Sequence, residues 1–330
     1  MTQDQPRHEE PTEGEIEGEI DHLPDEAELP PDHRSGFVAV VGRPNVGKST
    51  LMNAYLGEKV AIVSPKPQTT RLRQLGILTT PEYQIIFVDT PGIHEPRHKL
   101  GEFMVDVAVG ALADADLILF VVDVSGSPTD EDQRIAALLN EAAPGAPVLV
   151  AMNKLDVAPI EYLAANVSAY QELLPDADWT TVSATTGQGR DDLLRRIVNA
   201  LPRGPRFYPE DQLSDAPLRE IVAETVREKA LLRLRDEVPH SVAVVVDEFK
   251  RRDENVTYIA ATIYVERDSQ KGILIGKGGN MLGRIGKDAR PEIERLVGSK
   301  VYLELWVKVL KNWRKDENAL RRLGYRLPKR

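Results

Sequence analysis

Between residues 37 and 201, short apolar runs alternate with amphipathic stretches. Phe37–Val41, Gln84–Val88, Leu117–Val122 and Val148–Met152 are almost continuously apolar, as strands covered on both faces are. Between and beyond them, apolar residues recurring every three or four positions predict helices near 100–113, 131–142, 160–173 and 190–200. This alternation predicts an α/β domain with a doubly wound, mostly parallel sheet, its ligand at the C-terminal ends of the strands.

The helix breakers in Leu201-Pro-Arg-Gly-Pro-Arg-Phe-Tyr-Pro209 interrupt the pattern and mark a boundary. We place the first domain at 37–202, a linker at 203–216 and a second domain at 217–330. The second domain has a different grammar. A helix near 217–235 precedes two strands, Ser241–Phe249 and Val256–Glu266, the second with clear alternation. A glycine-rich turn between helical segments follows, then a strand over Lys300–Leu310 and a basic C-terminal helix. That order predicts an α+β fold.

Charge sharpens the division. Residues 1–36 carry 12 Asp and Glu against 2 Arg, with few apolar residues, and are expected to form a disordered acidic tail. Residues 37–202 carry 20 acidic against 13 basic side chains, and residues 203–330 carry 20 against 27. Of the three segments, the last alone suits a polyanion, although the whole chain is at -10. The absence of cysteine excludes disulfides and thiol chemistry. Met1-Thr-Gln-Asp-Gln lacks the basic start of a secretory signal, and the apolar runs are too short to cross a bilayer. A cytoplasmic protein is expected.

Four stretches of the first domain carry chemistry. Gly42-Arg43-Pro44-Asn45-Val46-Gly47-Lys48-Ser49 fits GxxxxGK[ST] between a predicted strand and helix. Its glycines let backbone N–H groups close on phosphate, Lys48 reaches the β- and γ-phosphates, and Ser49 supplies a hydroxyl for Mg²⁺. Asp89-Thr90-Pro91-Gly92 leaves a strand, with Asp89 placed for the Mg²⁺ shell and Gly92 for the γ-phosphate. In Asn153-Lys154-Leu155-Asp156 a single carboxylate can accept from both N1–H and the N2 amine of guanine; adenine offers neither. The expected ligand is therefore GTP or GDP. Asn153 would contact N7 and brace the loop, and the Lys154 stem would lie along the base. Ser183-Ala184 is expected to direct backbone N–H groups at guanine O6.

Between these, Ser64-Pro65-Lys66-Pro67-Gln68-Thr69-Thr70-Arg71 reads as a switch loop flanked by strand-like segments, with a threonine joining the Mg²⁺ shell. The glutamine that orients water in Ras-like enzymes is missing, since Ile93-His94-Glu95 stands after Gly92, so slow intrinsic hydrolysis is expected. In the second domain, Gly276-Lys277-Gly278-Gly279 between helices brings backbone amides and a cation to a nucleic-acid strand. This is the KH arrangement, and the order helix-strand-strand-helix-helix-strand resembles its type II version.

These motifs in this order, with Tyr208-Pro-Glu-Asp-Gln, Val226-Arg-Glu-Lys229 and Ser241-Val-Ala-Val, resemble the Era family of bacterial GTPases over about residues 37–326. The resemblance implies Mg²⁺-dependent GTP hydrolysis and favours Thr70 over Thr69 as the switch threonine. It also implies binding to the 3′ end of small-subunit ribosomal RNA and the pre-30S particle, and weak peripheral membrane association. A monomer is expected. Asn45 matches a subset of GTPases in which that residue helps hold K⁺. Two other readings stay open: a constitutive RNA-binding protein with a structural nucleotide site, and a GTPase of transfer-RNA modification. Nothing transfers to the acidic tail.

Overall fold

The structure, a computed structural model, describes residues 29–325 apart from 65, 67, 68, 94, 95, 97, 143 and 144. The expected acidic tail up to residue 28, Gln68 and His94 thus lie outside the described residues.

The first unit is a six-stranded sheet ordered β2-β3-β1-β4-β5-β6. Its strands are β1 (Arg34–Val41), β2 (Gln74–Thr79), β3 (Tyr83–Asp89), β4 (Leu117–Asp123), β5 (Val148–Asn153) and β6 (Asp178–Thr181). All neighbours run parallel except β2, which pairs antiparallel with β3 at the edge. The helices are α1 (Lys48–Leu56), α2 (Lys99–Ala113), α3 (Asp130–Ala142), α4 (Ile160–Leu173) and α5 (Arg190–Ala200). Alternate residues of each strand feed two opposite cores. Val38, Val40, Leu119 and Val121 pack with α1 and α5, whereas Ala39, Val41, Ile118 and Phe120 pack with α2, α3 and α4. That is why the strands are apolar at nearly every position.

The strand-like segment expected just before the switch loop is not a strand. Asn53 Oδ1 accepts from the N–H groups of Val60 and Ala61 at 3.1 and 2.9 Å, and Glu228 accepts from Val63 at 2.9 Å. Side chains take the donors that a strand would give to a neighbour.

The stretch after α5 runs back along the sheet edge. Gln84, fully buried in β3, accepts from the Phe207 and Tyr208 N–H groups and donates to Tyr208 O. Ile77 N–H donates to Leu213 O at 2.9 Å.

The second unit contains α6 (Leu218–Arg233), β7 (Ala243–Arg251), β8 (Val256–Val265), α7 (Asp268–Ile275), α8 (Asn280–Val297), β9 (Lys300–Val309) and the short α9 (Glu317–Arg322). β7 is antiparallel and β9 parallel to β8. One face of this sheet packs on α6 and α8 through Val226, Ile259, Ile263, Ile285, Ala289 and Val307. A further cluster joins the units: Leu100, Phe103, Met104 and Val107 of α2 meet Tyr264, Trp313, Leu320 and Tyr325.

Candidate functional site

β1 delivers the chain into a tight turn at Gly42 (φ 150°) and Gly47 (φ 104°), angles that L-residues rarely adopt. A Cβ on Gly42 would collide with Val121 O, and one on Gly47 with Asn153 Nδ2. The backbone is therefore free to curl around a ligand, and α1 starts at Lys48 with no capping side chain and no acid in its first turn. A helix start of this kind favours anions. Lys48 is buried, and its Nζ donates to Gly42 O and Arg43 O at 3.0 and 3.1 Å. Burial pushes its pKa down to about 8, against the pull of Asp89.

Ser49, Thr70 and Asp89 arrive from α1, the switch loop and the end of β3. Ser49 Oγ donates to Asp89 Oδ2 at 2.6 Å, Thr70 Oγ1 donates to the same oxygen at 3.2 Å, and the hydroxyls are 3.2 Å apart. Burial raises the Asp89 pKa despite Lys48 and both hydroxyls. Asp89 Oδ1 is buried and has no hydrogen-bond partner among the described residues. One carboxylate and two hydroxyls fit Mg²⁺, a hard cation that keeps waters and completes its shell with substrate phosphates. Thr69 goes elsewhere: its hydroxyl donates to Lys66 O at 2.6 Å.

Thr90, by contrast, is wholly buried and donates its hydroxyl to Val40 O at 2.8 Å. It anchors β3 to β1. Gly92 packs on the phosphate turn so closely that a Cβ would sit 2.9 Å from Pro44.

At the other end of a cavity of about 440 Å³, Asn153, Lys154, Asp156, Val157, Ala184 and Thr185 form the wall, and Asn45 and Pro44 line the phosphate side. Asn153 ties three loops together, donating to Val46 O at 2.7 Å and accepting from Ala184 N–H at 2.9 Å. Ser183 N–H donates to Gln188 O at 2.8 Å. The Ser183 and Ala184 amides, expected to address guanine O6, both meet protein acceptors in this structure. Ser183 contributes its hydroxyl instead, donating to Asp156 Oδ1 at 2.6 Å. Lys154, in the left-handed region at φ 67°, sends Nζ to Asp123 Oδ2 at 2.7 Å. Asp123, at the end of β4, carried no motif signal. Burial opposes its ionisation, but hydrogen bonds from Lys154 and Ser125 outweigh that and hold its pKa below the usual range.

In the second unit, α7 ends at Gly276 (φ 70°), followed by exposed Lys277, Gly278 (φ 60°) and Gly279 (φ 80°). A Cβ on Gly276 would meet Met281 Cβ at 2.8 Å, whereas Gly278 and Gly279 face open space. The turn thus presents bare backbone and one cation at the start of α8.

The fold and site define a P-loop GTPase joined to a KH domain. Residues 37–154 match a family described as 50S ribosome-binding GTPase, and residues 237–314 match the KH domain family. The chain is 50% identical over 293 residues to GTPase Era of Geobacter metallireducens, covering 88% of this chain and 98% of that protein. It is 48% identical to GTPase Era of Ruminiclostridium cellulolyticum over 90% of this chain and 99% of the relative. Among solved structures, Era in complex with MgGDPNP and nucleotides 1506–1542 of 16S ribosomal RNA superposes with a TM-score of 0.85 at 43% identity, over 89% of this chain and all of that one. A point variant of Aquifex aeolicus Era bound to GDP·AlF₄⁻ also superposes with a TM-score of 0.85, at 44% identity and over the same shares of the two chains. The chain belongs to the Era family of GTPases.

Proposed function

We propose that this GTPase grips the unpaired 3′ end of small-subunit ribosomal RNA under nucleotide control and acts in small-subunit assembly in the cytoplasm. In this reading residues 37–202 are the switch, 203–216 the linker and 217–330 the RNA-binding KH unit of type II. The solved relative holds 16S ribosomal RNA. The description naming the 50S subunit attaches to residues 37–154 alone, so the RNA-bound relative is the better guide.

One observation carries the coupling. Arg71, next to Thr70 in the switch loop, is buried and reaches across to the KH unit. Its Nη1 donates to Val242 O at 2.6 Å and Nη2 to His240 O at 3.0 Å, and the guanidinium lies 5.6 Å over the Trp313 ring. The residue before it touches Asp89. A γ-phosphate that repositions Thr70 therefore moves a residue bonded to the other unit.

In catalysis, Lys48 and the start of α1 hold the β- and γ-phosphates, and Asp156, fixed by Ser183, selects guanine. Ser49 and Thr70 would hold Mg²⁺, with Asp89 acting through water; when bound, the ion neutralises charge on the phosphate oxygens. No catalytic glutamine follows Gly92, which supports slow turnover. Asn45 lines the phosphate side of the cavity and would help to hold K⁺; equal turnover in KCl and NaCl overturns that assignment.

Filter binding of a 3′-terminal 16S fragment to protein carrying a GTP analogue, GDP or no nucleotide tests the reading. Different affinities are expected, and three equal values overturn it. Lys277→Ala should weaken binding in every nucleotide state and reduce the salt slope by about 1.

A further inference from the structure

The run Val226-Arg227-Glu228-Lys229 in α6 has no place in the nucleotide site or the glycine-rich turn, yet Arg227 and Glu228 reach the two ends of the switch loop and Lys229 ties Glu228 to Glu292. Arg227 is wholly buried; its Nη2 donates to Thr69 O and, at 2.5 Å, to Glu224. Glu228, also buried, accepts from Val63 N–H at 2.9 Å and pairs with Lys59. Lys59 continues to Glu292 of α8 at 2.7 Å, and Lys229 bridges Glu228 and Glu292 at 2.8 and 2.6 Å.

Both ends of the switch segment, Val63 and Thr69, are therefore fastened to one turn of α6. Through Lys59, Lys229 and Glu292 the same turn is fastened to α8, the helix that begins at the glycine-rich turn. Buried charges cost too much to keep unless the pairing is close to complete. Moving the loop away would take from Arg227 its bond to Thr69 O and from Glu228 its bond to Val63 N–H, leaving each buried charge only its remaining ionic partners, so the loop and α8 are favoured to shift together.

We infer that the KH unit supplies the positioning residues of the switch. In this arrangement Arg227 and Glu228 hold Thr69 and Val63 so that the Thr70 hydroxyl stays at Ser49 and Asp89, and the Lys59–Glu228–Lys229–Glu292 square passes the loop's position to the RNA-facing helix. Arg227 touches no substrate and acts through Thr70. This deepens the function proposed above and rests on it for the RNA half alone; the GTPase half stands independently.

The test uses the full chain with Arg227→Lys, which keeps the charge and shortens the reach, and Lys59→Ala, which opens the square from its more exposed corner. Without nucleotide, amide hydrogen exchange across residues 59–72 should accelerate in both variants. Arg227→Lys should lower kcat for GTP about tenfold with KM changed less than about twofold, since Thr70 matters most in the transition state. In both, the ratio of RNA affinities between GTP-analogue and GDP states should move towards one. Unchanged exchange and unchanged kcat in a folded Arg227→Lys protein overturn the inference. If Arg227→Lys does not fold, Lys59→Ala decides alone, and wild-type exchange together with a wild-type affinity ratio overturns it. Should wild-type protein show no nucleotide-dependent RNA affinity, the proposed function fails, while exchange and kcat still decide the clamp.

Discussion

In the proposed function Asp156 reads the base, and it does so only as well as it is held. Its partner Ser183 lies 27 positions away, and the 2.6 Å hydrogen bond between them fixes one carboxylate oxygen and leaves the other to the ligand. Guanine presents two adjacent donors to a carboxylate, so Asp156→Asn places an amide N–H₂ against a donor. Loss of GTP affinity by at least about a hundredfold is expected, since a site built to accept from two donors would then set a donor against a donor. The amide should now prefer xanthine, whose C2 carbonyl accepts. Competition of labelled GTP with XTP checks this, and unchanged preference for GTP would remove Asp156 from base recognition. Ser183→Ala keeps the carboxylate but frees it, so a smaller loss of about tenfold is expected with guanine still preferred. The motif residues were legible because their chemistry is local to a turn. Asp123 was not, because a carboxylate ending a strand looks like any other until the fold brings Lys154 to it.

At the scale of elements, α2 carries the seam between the two units, and its first turn depends on a histidine. His98 caps the helix with Nδ1 accepting from Gly101 N–H at 3.1 Å. Burial, then the nearby Arg314, lowers its pKa below the ordinary 6.5. A base with a depressed folded pKa contributes stability that is intact above 6.5 and is lost as pH falls from there towards the folded value. Protonation also turns the capping nitrogen from acceptor to donor. His98→Asn keeps an acceptor that does not titrate, so its Tm should fall less than that of wild type between about pH 7.5 and 5.5. Parallel slopes for the two proteins would show that His98 contributes nothing to acid sensitivity.

The helices and central strands could be read from periodicity because each packs by one face or is covered on two. The edge strand β2 was harder, since its pairing partners are fixed by tertiary contacts. In the glycine-rich turn of the second unit the backbone angles were readable from composition. Gly276→Ala would force a Cβ onto Met281 at a φ of 70°, so RNA affinity should fall while GTP turnover stays at the wild-type value. Retained RNA affinity would separate the turn from the binding surface.

Nothing in the sequence pattern joins the two units, because the contacts that do so are far apart along the chain; Arg71 and Val242 are separated by 171 positions. Trp313 sits at the centre of that junction. It is fully buried, donates Nε1–H to Ser241 O at 3.0 Å, stacks on Tyr325 at 5.8 Å and lies beneath Arg71. The surrounding cluster draws on α2 from one unit and on Tyr264, Leu320 and Leu323 from the other, so it belongs to neither core alone. Removing the indole leaves a cavity shared between units, costing about 3–5 kcal/mol. That loss falls on the coupling between cores whose own packing is untouched. Wild-type protein should therefore unfold in one calorimetric transition and Trp313→Ala in two. Excess GDP with Mg²⁺ stabilises whatever binds it, so it should raise the single wild-type transition but only one of the two in the variant. One transition that merely moves down in temperature would mean that the units stay coupled without the indole, through contacts such as those of Arg71, Arg227 and Lys59.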